Sequence, residues 1–178
     1  MSAKNISMGG ILTALTIILL YLTLLIPTNT LTLLTLAAFM VPIALMRCNL
    51  RTSILVYICS SILSFLLLPF NIFFLYTSFF GCYGIIKSLI EGLDKLALEW
   101  VLKLIYFNIV FFICINIIEE FLNPSLFDNL NALAAKFLPG LSYGGFLMLW
   151  LAGQVVFVLF DYALTLLIDT YYKYFRNN

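Results

Sequence analysis

Residues 8–46 read MGGILTALTIILLYLTLLIPTNTLTLLTLAAFMVPIALM, and no charged side chain interrupts them. The only polar break is Pro27-Thr28-Asn29. It divides the stretch into apolar runs of about Met8–Ile26 and Leu31–Met46. Hydrocarbon is crossed by about 20 apolar residues in a helix, so the stretch reads as two spans joined by a tight turn. A secretory signal also opens with an apolar run. Here only Lys4 precedes the run, no small-x-small cleavage site closes it, and further apolar runs follow at once. It therefore reads as the first span. Pro42 near the end of the second run predicts a kink, because proline gives up a ladder hydrogen bond.

The same pattern continues through the chain. The turn Arg47-Cys48-Asn49-Leu50-Arg51 leads to a third run, about 52–68, and Pro69 and Asn71 mark the next turn. Further spans are predicted at about 72–90, 98–118 and 144–168. The fold expected is all-α: a membrane bundle of six transmembrane helices in a single domain covering residues 1–178. Of the 178 residues, 64% are hydrophobic and 10% charged, and the mean hydropathy is +1.13. Soluble domains are about 25% charged, so a soluble enzyme or binding module is excluded first. Six spans consume about 120 residues, which leaves turns and one longer loop.

Basic residues fix the expected orientation. With the N-terminus in the cytoplasm, Lys4, Arg47, Arg51, Lys87, Lys95, Lys103, Lys173 and Arg176 all fall inside, and only Lys136 falls outside. Positive residues are retained on the cytoplasmic side, so both termini are expected there, in a multi-pass protein of the cell membrane. Tyr143 at one end of the sixth span and Tyr171, Tyr172 and Tyr174 at the other fit an aromatic belt. No internal repeat is evident.

Two segments lie outside the spans. Residues 87–103 are the most charged stretch. Leu89, Leu93, Leu96 and Trp100 recur at helical spacing, and Lys87, Glu91 and Lys95 follow each other at i, i+4. This predicts an amphipathic cytoplasmic connector over about 87–100, or a helical extension of the flanking spans broken at Gly92. It is either an ordinary interfacial connector or a docking surface. The loop 119–143 is net acidic, with Glu119, Glu120 and Asp128 against Lys136. Its apolar residues Leu130, Leu133, Ala134, Phe137 and Leu138 predict a short helix on the outer surface or folded over the bundle mouth.

Chemistry-bearing residues are few. The chain has no histidine, which removes His-based triads and His-ligated metals. The cysteines Cys48, Cys59, Cys82 and Cys114 form no Cys-x-x-Cys pair, so neither a disulfide framework nor a zinc site is expected. No Gly-x-Gly-Asp, Asp-x-x-Asp-Gly, phosphate loop or Gly-x-Gly-x-x-Gly occurs. No enzymatic activity, cofactor or metal is expected. A net charge of +1 gives no electrostatic case for nucleic acid.

Polar residues at membrane depth are costly and are usually functional or paired. Asp161 lies about eight residues from the inner end of the sixth span, about 12 Å deep at ~1.5 Å per residue. Asn108 lies at similar depth and Lys103 nearer the surface. These three are the candidates for an interhelical polar clamp, with a proton or cation relay as the alternative. Asn116, Glu119, Glu120, Trp150 and Gln154 gather in the outer half and are the candidate substrate-binding residues, a polar-plus-aromatic set suited to a small molecule. Near the start of the first span, Gly9/Thr13 and Gly10/Ala14 are small-x-x-x-small pairs, which let another backbone approach closely.

The stretch Gly10-Ile11-Leu12-Thr13-Ala14 resembles the small-residue motif of the substrate-binding S components of bacterial energy-coupling-factor (ECF) transporters, where the usual form is Ala-x-x-x-Ala. Six helices, both ends inside, and high apolarity over nearly the whole chain resemble the same family. The resemblance implies a vitamin or other small-molecule ligand held in an outward pocket. It implies docking through Gly10 and Ala14 on a transmembrane T component, and energy from two partner ATPases. The alternative is a non-transporting membrane scaffold or a subunit of a larger complex, similar in size and hydropathy to the rod-shape-determining membrane protein D family.

Overall fold

The computed structural model describes residues 2–93, 95–118, 126–137 and 144–176, all in helices and the turns between them. Six helical stretches are long and apolar enough to cross a membrane: Ala3–Leu25, Pro27–Arg47, Leu50–Leu67, Phe70–Glu91, Leu96–Ile117 and Gly144–Lys173. Among the described residues there is no strand. The chain divides into two compact units, Met1–Leu104 and Ile105–Asn178.

In the first unit, α1 (Ala3–Leu25) starts five residues before its apolar run. Ser2 caps it, its side chain accepting from the Asn5 N–H at 3.4 Å. A 3-10 turn (Pro27–Asn29) leads to the second span, which is two helices, α2 (Thr30–Ala38) and α3 (Met40–Arg47). The break at Phe39 lies three residues before Pro42. Pro42 has no N–H for the Ala38 carbonyl and its ring crowds that carbonyl, so the ladder fails upstream of the proline. Asn49 caps α4 (Leu50–Leu67) by accepting from the Thr52 N–H at 2.9 Å and the Thr52 hydroxyl at 2.8 Å.

The fourth span is not one regular helix. It runs α5 (Phe70–Leu75), a π-helical turn (Tyr76–Phe80) and α6 (Gly81–Glu91). Gly92 closes it at the C-cap, and α7 opens at Leu96. The connector residues 87–103 are therefore the ends of two helices around a turn, the second of the two arrangements the charge spacing allows.

Helices in lipid gain little from burying apolar surface, since hydrocarbon surrounds them already. They associate by close packing and by interhelical hydrogen bonds. Both are visible here. Gly9 lets Thr52 and Val56 of α4 lie against α1. Gly84 admits the Pro42 ring onto α6. Leu12, Val41, Ala44, Val56 and Ile85 form the core between these helices. Buried Thr13, Thr16 and Thr23 return their hydroxyls to carbonyls of their own helix at 2.6–2.9 Å. Ser53, fully buried, crosses from α4 to the Val41 carbonyl at 2.8 Å.

The second unit holds the C-terminal part of α7 (Leu96–Ile117), α8 (Leu126–Phe137) and α9 (Gly144–Arg176). The short helix anticipated in the acidic loop is α8. It packs on α9 at Gly145, whose missing side chain leaves room for the α8 backbone at Leu130 and Asn131. The Asn131 carboxamide accepts the Gly145 N–H at 3.0 Å, which serves one of the unpaired donors at the α9 start. At 33 residues, α9 is longer than the apolar run predicts. About 50 Å of helix exceeds the ~30 Å hydrocarbon thickness, so its polar last turns continue the helix beyond the membrane.

These contacts separate the glycines. A Cβ on Gly84 falls 2.6 Å from Pro42 Cγ, in a ring that cannot swing aside, whereas a Cβ on Gly10 meets nothing within 4 Å. Gly84→Ala is expected to lose about 1–3 kcal/mol by overpacking. Gly10→Ala is expected to hold or gain stability through helix propensity, by up to about 1 kcal/mol. Thermal unfolding of both variants in detergent checks the pair.

Candidate functional site

Three arrangements carry chemistry. The first lies in the second unit, where α7 and α9 exchange polar side chains. Asn108 Oδ1 accepts from Trp150 Nε1 at 2.8 Å and from Gln154 Nε2 at 3.3 Å. Trp150 and Gln154 are four residues apart on α9, so one helix face presents both donors to one acceptor. Aromatic side chains neighbour them along the same two helices. Phe107 stacks on Phe157 with centroids 4.8 Å apart and lies 5.5 Å from Phe111. Gly153 gives these rings space, since a Cβ there meets Phe111 at 3.0 Å and Phe107 at 3.2 Å. Here the indole N–H and the Gln154 amide both donate to Asn108, and Phe107 and Phe157 are buried against each other.

The structure adds a contact that the sequence does not suggest: Asn108, a member of the expected clamp with Asp161 and Lys103, shares its carboxamide oxygen with Trp150 and Gln154 of the expected substrate-binding set. Asn116 is exposed and its amide donates to the Phe112 carbonyl of its own helix at 2.6 Å. Asp161 is 4% exposed, and its backbone carbonyl accepts from the Thr165 hydroxyl at 3.0 Å. Glu119, Glu120, Leu138 and Tyr143 lie outside the described residues.

The second arrangement is an ion cluster in the first unit. Lys87 Nζ and Lys103 Nζ each lie 2.7 Å from Glu91 Oε1. Both lysines are buried, whereas the Glu91 side chain is 35% exposed. The Lys87–Glu91 pair is the i, i+4 spacing read in the sequence. The Lys103–Glu91 pair links α7 back to α6 across the Gly92 turn. The Lys103 ammonium also lies 5.7 Å from the Trp100 ring centroid. Among the described residues no group of three metal-ligating side chains forms.

The third arrangement is a groove of about 410 Å³ between α1 and α4, lined by Gly9, Gly10, Thr13 and Ala14 on one wall and by Leu55, Cys59 and Leu63 on the other. The two small-residue pairs of α1 are sorted by helical phase. Gly9 and Thr13 are buried against the first unit, whereas Gly10 and Ala14 are exposed.

Two substitutions probe the polar clusters. Glu91→Gln neutralises a carboxylate shared by two buried ammonium groups, so it is expected to cost about 1–3 kcal/mol. Chemical or thermal unfolding measures it. Asn108→Leu removes the shared acceptor, at about 1–2 kcal/mol for interhelical hydrogen bonds in membranes. In a Trp100→Phe background, a shift of Trp150 fluorescence emission reports the loss.

Compared with known proteins, the chain matches no family model, no curated protein and no solved structure.

Proposed function

We propose that this chain is the substrate-binding membrane subunit of an ECF-type importer in the bacterial cell membrane, with both termini in the cytoplasm. The observation that carries the reading is the outward phase of Gly10 and Ala14. Their partners in the small-x-x-x-small pattern, Gly9 and Thr13, are used in packing α1 on α4. Gly10 and Ala14 are the exposed members, and all four residues line an apolar groove open to the surroundings. Small residues on an exposed helix face let a second helix approach closely, and close approach is the main source of helix association in lipid. A transmembrane T component is the partner of that description, and two ATPases bound to it supply the energy. The ligand is a small molecule, a vitamin or a precursor, and the Asn108–Trp150–Gln154 cluster with its phenylalanine rings is the recognition element.

The test separates docking from binding. Gly10→Leu with Ala14→Leu fills the groove and leaves the close approach of Thr52 and Val56 at Gly9 as it is. Co-purification of a T component and ATPases from native membranes is expected to fall by tenfold or more. Retention of a small molecule, read by mass spectrometry of the purified protein, is expected to persist. Unchanged assembly together with no retained molecule would overturn the reading and favour a scaffold.

A further inference from the structure

The π-helical turn Tyr76–Phe80 sits inside a span whose local sequence, Tyr-Thr-Ser-Phe-Phe, holds neither proline nor glycine. A π turn places one extra residue in the helix, and its ladder runs to the fifth residue rather than the fourth. Here the Gly81 N–H bonds to the Tyr76 carbonyl. In a regular α-helix that N–H belongs to the Thr77 carbonyl. The carbonyl so released accepts the Tyr57 hydroxyl from α4 at 2.8 Å. A second hydroxyl bond, Ser60 to Tyr76 at 2.7 Å, anchors the start of the turn. Both tyrosine rings cross over Gly81, where a Cβ would lie 2.9 Å from Tyr76 and 3.1 Å from Tyr57.

The turn has a cost that its partners do not cover. The Thr77 hydroxyl is buried and makes no hydrogen bond, and the same holds for Ser61 on the facing helix. Thr13, Thr16, Thr35 and Thr165 all return their hydroxyls to the carbonyl four residues back. In a continuous α-helix Thr77 would do the same with Phe73. The π register thus gains the Tyr57 bond and leaves the Thr77 hydroxyl unpaired, so the two registers trade one hydrogen bond for another.

We infer that the fourth span is a two-register element, in which Tyr57 holds the π turn and its release lets the helix close into continuous α geometry. Closing the turn restores Gly81 N–H to the Thr77 carbonyl and gives the Thr77 hydroxyl the Phe73 carbonyl. It turns the Pro69 end against the Gly81 end by about 100° and lengthens the helix by about 1.5 Å. Phe70, Phe73 and Phe74 ride on the moving end, and Phe73 leaves the Phe65 ring it now meets at 5.1 Å. This inference does not depend on the transport reading.

The experiment places 4-trifluoromethylphenylalanine at Phe73 in the full chain and records fluorine NMR in lipid nanodiscs. The resonance of the π register is the one that moves when Phe65 is changed to Leu. Tyr57→Phe removes the bond to the released carbonyl, worth about 1 kcal/mol. It is expected to raise the ratio of the second resonance to the first about fivefold. Thr77→Val keeps the shape and removes the hydroxyl that only the α register satisfies, so it is expected to lower that ratio. A single resonance common to the parent and both variants, or a ratio moving the same way in both, would overturn the inference.

Discussion

Hydrocarbon offers no hydrogen bond, so a polar group on a spanning helix is costly unless it finds its partner within the protein. That constraint explains where the polar side chains of this chain go. Thr13, Thr16 and Thr23 fold back onto their own backbone. Ser53 and Tyr57 reach across to carbonyls on neighbouring helices, near Pro42 and in the π turn respectively. The two interhelical bonds fall close to the two departures from regular helix in the first unit. An irregular backbone in lipid stands only where a neighbouring helix satisfies the groups it frees, and α4 supplies that service on one face.

Six spans were legible in the sequence because their signal is the solvent itself: about 20 apolar residues, then a polar turn. The Pro42 break was legible too, though displaced to Phe39, since proline disturbs the carbonyl four residues before it. The π turn was not legible. Nothing in Tyr76–Phe80 breaks a helix, and the cause lies in Tyr57, about 20 positions away, with Gly81 beneath its ring. The candidate site was legible as residue types and not as a grouping. Trp150 and Gln154 announce a shared face by their spacing. Which α7 residue meets that face depends on the rotation of one helix against another, and a single sequence carries no record of it. The bond from the Trp150 indole to Asn108 is of that kind.

Helical phase also decides what a glycine means. Gly9 and Gly10 are adjacent and chemically identical, yet about 100° separates them around the axis. One is buried beneath Thr52 and Val56, and the other faces open space. Gly84 and Gly145 belong with Gly9: the Pro42 ring and the α8 backbone occupy the volume a side chain would need. A small-x-x-x-small pattern is therefore two statements written over each other, one about the protein's own packing and one about a partner. Only the residues left over after internal packing is accounted for bear on the partner.

The Lys87–Glu91–Lys103 cluster follows the same logic with charge in place of volume. Two ammonium nitrogens within 2.7 Å of one carboxylate oxygen stand no more than about 5.4 Å apart, so the carboxylate separates charges that repel strongly in a low-dielectric setting. The lysines are buried and Glu91 is partly open. The exposed member is thus the one that the two buried members share. Because the cluster also ties the start of α7 to the end of α6, the Gly92 turn between them need carry no packing of its own. Charge does there what glycine packing does between α1 and α4: it ties one helix to the next.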